Sequence, residues 1–146
     1  MSLSTQSAKM VIVTYAQEQY SLNIEHVSSI ERAMDITPMP EMPTEILGVI
    51  HLRGNIIPII DFGQLIGNEN IAITDNSRIV VLQNEQGFLG ILTEAATDVI
   101  DIQTESIQSP GNFSRNEDSV IQGVAKHQDQ LIMVLNCPYI FKIINA

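Results

Sequence analysis

Shifted by 75 positions and laid over itself, the chain repeats a strand-turn-strand unit, and no other feature constrains its fold as much. Gly48 and Val49, six residues, then Ile56-Ile57-Pro58-Ile59-Ile60-Asp61 match Gly123 and Val124, six residues, then Leu131-Ile132-Met133-Val134-Leu135-Asn136. Both copies run into a short helical signal, Phe62 to Ile66 ending at Gly67 or Pro138 to Ile144. Earlier in each half, Gln17-Glu18-Gln19-Tyr20-Ser21-Leu22-Asn23-Ile24 matches Asn84-Glu85-Gln86-Gly87-Phe88-Leu89-Gly90-Ile91 as a hairpin. The two registers differ by eight residues, which places an insertion between Ile91 and Gly123. The expected organisation is two similar lobes, 7–67 and 78–141, joined by the polar stretch Asn68 to Ser77. Barrels of about 60 residues have thin cores, so the two lobes are expected to share an apolar core.

Between turn residues, β-branched and aromatic runs read as strands at Lys9–Tyr15, Tyr20–Ile24, Val49–Leu52, Ile56–Ile60, Arg78–Leu82, Phe88–Leu92, Gly123–Lys126 and Leu131–Leu135. The class is all-β. A further brief helix is expected at Thr44–Leu47 after Pro43. Glu94, Asp98, Asp101 and Glu105 alternate with Val99, Ile100 and Ile102 as a solvated face would.

Composition narrows the function. The 146 residues are 45% hydrophobic and 16% charged, as in a globular protein, and only the polar opening Ser2–Ser7 reads as loose. A formal net charge of -10 repels phosphate backbones, so nucleic acid and anionic lipid are poor partners. No leader-like start or membrane-length apolar run is present, so a cytoplasmic protein without direct membrane insertion is expected. Cys137 reads as a small core residue, and His26, His51 and His127 stand apart from any metal-ligand spacing. No nucleophile elbow, phosphate loop or dinucleotide glycine pattern occurs, so neither a catalytic residue nor a cofactor is assigned. Asn112-Phe113-Ser114 spells a glycosylation tripeptide that means nothing without a secretory signal.

The segment Ile36 to Gly67 carries the candidate site. Pro38, Pro40 and Pro43 hold an extended approach that cannot pair as a central strand, with Met39 and Met42 either filling the core or contacting a partner. Gly48 starts a strand ending in Leu52-Arg53-Gly54-Asn55, a tight turn that Gly54 permits and that leaves Arg53 at an exposed tip. A lone Arg amid negative charge suits recognition of carboxylates or carbonyls. Pro58 lacks a backbone donor, so its strand belongs at an edge or beside a bulge.

Gly48-Val49-Ile50-His51-Leu52-Arg53-Gly54-Asn55-Ile56-Ile57-Pro58-Ile59-Ile60-Asp61 resembles the Gly-Val-Ile-Asn-Leu-Arg-Gly-x-Ile-x-Pro-Val-Ile-Asp signature of the CheW family of chemotaxis coupling proteins. The resemblance extends over nearly the whole chain, through Ile36-Thr37-Pro38, Gly90-Ile91-Leu92, Asp98-Val99-Ile100 and the closing Gly123-Val124 hairpin. It implies two SH3-like five-stranded β-barrel lobes around a shared hydrophobic core, with short helices including one at the C-terminus. It also implies a non-enzymatic adaptor that couples the cytoplasmic tips of chemoreceptors to the regulatory domain of the histidine kinase CheA, recruited to membrane receptor arrays. By the same resemblance Arg53 and a groove walled by Val27, Ile30 and Val99 face the receptor, while Met39, Met42 and Gly48 lie near the kinase. The chain departs from the pattern at Ser29-Ile30-Glu31, His51 and Asp61-Phe62-Gly63. The competing readings are a CheW-like scaffold of a kinase pathway outside chemotaxis, a small-ligand-binding β-barrel, and a hydrolase whose nucleophile and base meet only on folding.

Overall fold

A computed structural model describes residues 6–67, 69–108 and 119–144. Most of the polar opening, residues 2–5, and the Asn112–Ser114 tripeptide lie outside the described residues. The strands are β1 (Ser7–Tyr15), β2 (Glu18–Asn23), β3 (Val27–Arg32), β4 (Ile46–Leu52), β5 (Asn55–Asp61), β6 (Arg78–Asn84), β7 (Gly87–Thr93), β8 (Ala95–Gln103), β9 (Ile121–His127) and β10 (Gln130–Leu135); helix α1 is Phe62–Ile66 and α2 is Cys137–Ile144. All eight expected strands form, and β3 and β8 join them. The helix expected at Thr44–Leu47 does not form. One turn closes there, with Ile46 N donating to Pro43 O at 3.0 Å, and β-branched Ile46 then opens β4.

The strands make two five-stranded sheets, ordered β8-β1-β2-β10-β9 and β3-β6-β7-β5-β4. In terms of the repeat both read third, first, second, fifth, fourth. Each half of the chain gives its first hairpin to one sheet and its last three strands to the other. The compact units are accordingly residues 1–25 with 97–146, and residues 26–96, rather than the expected 7–67 and 78–141. The parallel ladders β10–β2 and β5–β7 impose this exchange.

The exchange also corrects the hairpin alignment. The turns are Ala16-Gln17, between paired Tyr15 and Glu18, and Glu85-Gln86, between paired Asn84 and Gly87. The true offset is therefore 69 residues, two more than the match of Gln17 to Asn84. A slip of two leaves every side chain on its original face, which is why hydrophobic pattern alone misses it. With the offset of 69 the parallel ladders superpose: Val134 pairs with Ser21 as Ile59 pairs with Gly90.

Both sheets are open in their ladders, and each is closed at one point. Thr37 and Val49 exchange backbone hydrogen bonds of 2.8 and 2.9 Å, and Gln108 and Val124 exchange the same pair at 2.9 and 2.8 Å. The crossing chain passes directly over the glycine before each valine. A Cβ on Gly48, at φ +155°, would collide with the Thr37 carbonyl, and one on Gly123 would lie 2.8 Å from the Gln108 carbonyl. The Gly-Val element of the repeat is thus the seam of each sheet.

Asp61 and Asn136, matched by the repeat, cap the helices that follow them: Asp61 Oδ1 accepts from Gly63 N at 2.7 Å, and Asn136 Oδ1 accepts from Tyr139 N at 3.1 Å. Pro58 lies in β5, which is internal, opposite Val49. Val49 turns its N–H and C=O to Thr37, so the donor Pro58 lacks would point toward β7, whose ladder begins only at Ile59. A register shift between Ile46 and Gly48 supplies the expected bulge nearby.

Candidate functional site

The β4–β5 hairpin ends on Arg53 at φ +51° and Gly54 at φ +85°, the paired left-handed conformations of a tight two-residue turn. The turn projects Arg53 outward with 67% of its side chain exposed. Arg53 is not alone: its Nη1 donates to Glu31 Oε2 at 3.0 Å. Glu31 sits on β3, one edge strand of the sheet, and the Arg53 hairpin is formed by β4, the other edge. The ion pair therefore ties the two edges of one sheet by side chains, beside the backbone tie of Thr37 to Val49. Hydrogen bonds from the Ser29 hydroxyl and then from Arg53 hold the Glu31 carboxyl below its ordinary pKa. The reading of Arg53 as a lone cation thus needs correction: it is a pre-oriented one.

On β3, Ile30 points outward and is 42% exposed, while Val27, Ser29 and Glu31 are half-buried. Val99 lies on β8 in the other unit and is 46% exposed. The offset of 69 carries Ile30 onto Val99, so the two units expose an aliphatic residue at the same place on equivalent edge strands. Met39 is exposed and Met42 half-buried on the irregular segment after the Thr37 bridge. Gly48 is buried, and what it provides is the close passage of that segment. Val27, Ile30, Met39, Met42, Gly48 and Arg53 all belong to residues 26–96, and Val99 does not.

A second repeat-related pair escaped the sequence reading. Ile56 and Leu131 are 63% and 65% exposed and lie cross-strand from exposed His51 and Lys126. The alignment of the two copies already placed them together, and their exposure beside turn tips was the missing signal.

Burial pushes the Cys137 thiol up to about 12, far from a reactive thiolate. Asp61 is buried and raised by desolvation, but its oxygens are committed to the backbone N–H groups of Gly63 and Ile71. Among the described residues no three His, Cys, Asp or Glu side chains cluster as metal ligands. A cleft of about 410 Å³ is lined by Gln17, Glu18, Gln19, Gln130 and Leu131, a wall too polar for the apolar pocket that a small-ligand barrel would need. No described helix is long and apolar enough to cross a membrane.

Residues 9–144 match the model of the family described as CheW-like domain. The chain is 29% identical over 140 residues to the chemotaxis protein CheW of Rhizobium meliloti (strain 1021), covering 95% of this chain and 90% of that one. It is 28% identical over 129 residues to the chemotaxis protein CheW of Bacillus subtilis (strain 168), covering 88% and 83%. Its fold is similar to the crystal structure of the scaffolding protein TtCheW from Thermoanaerobacter tengcongensis, with a TM-score of 0.79, 30% identity and coverage of 92% and 88%.

Proposed function

The chain belongs to the CheW-like domain family, and on that premise we propose that it is a cytoplasmic adaptor that couples chemoreceptor tips to the regulatory domain of the histidine kinase CheA and performs no catalytic step itself. The observation that carries this reading is Arg53, raised on a left-handed turn and aimed by Glu31, beside the outward aliphatic Ile30 of β3. A charged fork with exposed apolar neighbours is the composition of a protein-binding hot spot. In this reading Arg53, Ile30 and Val27 meet the receptor, and Val99, the counterpart of Ile30 by the repeat, is assigned to the same partner. The segment through Met39 and Met42, held down over Gly48, meets the kinase. Recruitment to membrane arrays then comes from the receptor rather than from any insertion of this chain.

Pull-down with a receptor cytoplasmic fragment and with the kinase regulatory domain tests this directly, and both should be retained. Arg53→Glu should weaken receptor binding at least tenfold, about 1.4 kcal/mol, with the circular dichroism spectrum and kinase binding unchanged. Binding to neither partner rejects the adaptor; undiminished receptor binding by the variant rejects only the role of Arg53.

A further inference from the structure

We propose that the two halves of this chain are mutually selective docking partners, so that the half bearing β1–β5 binds the half bearing β6–β10, whether in the same chain or in a second copy of it. The sheets require such pairing: β1 and β2 are flanked by β8 and β10, and β6 and β7 by β3 and β5. Met10, Ile12 and Leu22 from the first hairpin, and Ile79, Leu82 and Ile91 from the second, have almost no exposed surface where they sit. Each half therefore leaves core strands uncovered unless a hairpin arrives from somewhere. Because the halves are repeats, that hairpin could come from an identical half just as well, and something must discriminate.

The discriminating contact lies at Gly90. It pairs with Ile59, and the equivalent pair in the other sheet is Ser21 with Val134. A Cβ on Gly90 would lie 2.5 Å from Ile59 Cδ1 and 3.0 Å from Ile79 Cγ2, two side chains with no exposed surface. Placing β1–β2 where β6–β7 belongs would drive the Ser21 side chain into Ile59. The opposite exchange sets Gly90 against the shorter Val134 and leaves a void. Small against large in one sheet and larger against smaller in the other keep the summed volume constant only in the native pairing. Specificity here comes from misfit of the wrong hairpin.

The test begins from the folded full chain, with a protease site inserted between the exposed residues Ala72 and Ile73. After cleavage the halves are separated in denaturant and refolded singly and mixed. The mixture should regain the native circular dichroism spectrum and elute as one species of full-chain mass, 16.2 kDa plus the insert, and neither half alone should do so. Gly90→Ser should weaken reassociation at least tenfold, and adding Ile59→Val, which deletes the obstructing Cδ1 methyl, should recover most of the loss. Parent halves that do not re-pair, or a single half that regains the native spectrum by itself or as identical pairs, overturn the proposal. So do Gly90→Ser halves that re-pair as tightly as the parent, or a Gly90→Ser loss that Ile59→Val leaves unchanged.

Discussion

Arg53 Nη1 lies 3.0 Å from Glu31 Oε2, joining the hairpin of one edge strand to the opposite edge strand of the same sheet. The recognition residue proposed for this protein is thus also a fastening of its own sheet. With Arg53 so exposed, the pair contributes at most about 1 kcal/mol to stability. Glu31→Gln should lower unfolding free energy by no more than that, measured by urea denaturation near neutral pH. Its folded pKa is held below the ordinary 4.5, so the contribution is fully present above that value and is lost as pH falls through the lower, folded pKa. The gap between parent and variant should close on acidification, and a gap that widens would contradict the assignment.

Gly48 and Gly54 both have positive φ, yet they should respond very differently to alanine. Around Gly54 nothing lies within 4 Å of an added Cβ, so Gly54→Ala should cost about 1–2 kcal/mol of backbone strain. Gly48→Ala meets the Thr37 carbonyl and Pro38 Cα as well, and should cost about 3 kcal/mol or more, opening the seam. Denaturant midpoints for the two variants give the comparison.

Asp61 holds two buried N–H groups, those of Gly63 and Ile71. Asp61→Ala should cost about 2–3 kcal/mol by orphaning them. Asp61→Asn keeps a capping oxygen and should cost less, as Asn136 caps α2 in the other copy. Burial raises the Asp61 pKa above 3.8, so folding favours its protonated form: that stabilisation is present below 3.8 and is lost as pH rises through the folded pKa. The deficit of Asp61→Asn relative to the parent should shrink as pH rises across this range, and a growing deficit would count against it.

Cys137 is 1% exposed, with its thiol pushed up to about 12. A thiol reagent at pH 8 should label it only when the chain opens, with a rate that rises with denaturant. Rapid stoichiometric labelling of the native protein would show that the start of α2 does not stay packed in the core.

Ile30 and Val99 occupy equivalent places on β3 and β8, half in water. Ile30→Asp and Val99→Asp should each leave stability within about 0.5 kcal/mol. Receptor binding should fall in both, and titration calorimetry against the receptor fragment reports it. An unchanged affinity removes that residue from the proposed surface.

How far these features can be read from sequence depends on what pattern encodes. The β-branched apolar runs within Arg78–Leu82 and Leu131–Leu135 mark buried strands, and those strands lie where expected. β3 and β8 are edges with one wet face, so Ser28, Arg32, Asp98 and Asp101 dilute their apolar signal into that of a surface loop. Periodicity does not say which strand is a neighbour, so the exchange of hairpins between halves was invisible although the repeat was plain. Gly54 betrayed the Arg53 tip, whereas Glu31, 22 positions earlier, is its partner only because the sheet curls its two edges together.

The central claim is that one molecule of this chain holds receptor and kinase at once. Sedimentation velocity of the purified chain with a receptor cytoplasmic fragment and the CheA regulatory domain measures that directly. The account predicts a ternary species heavier than either binary complex, diminished by Arg53→Glu at the receptor step alone. Two binary complexes that displace one another, or no association at all, would contradict it.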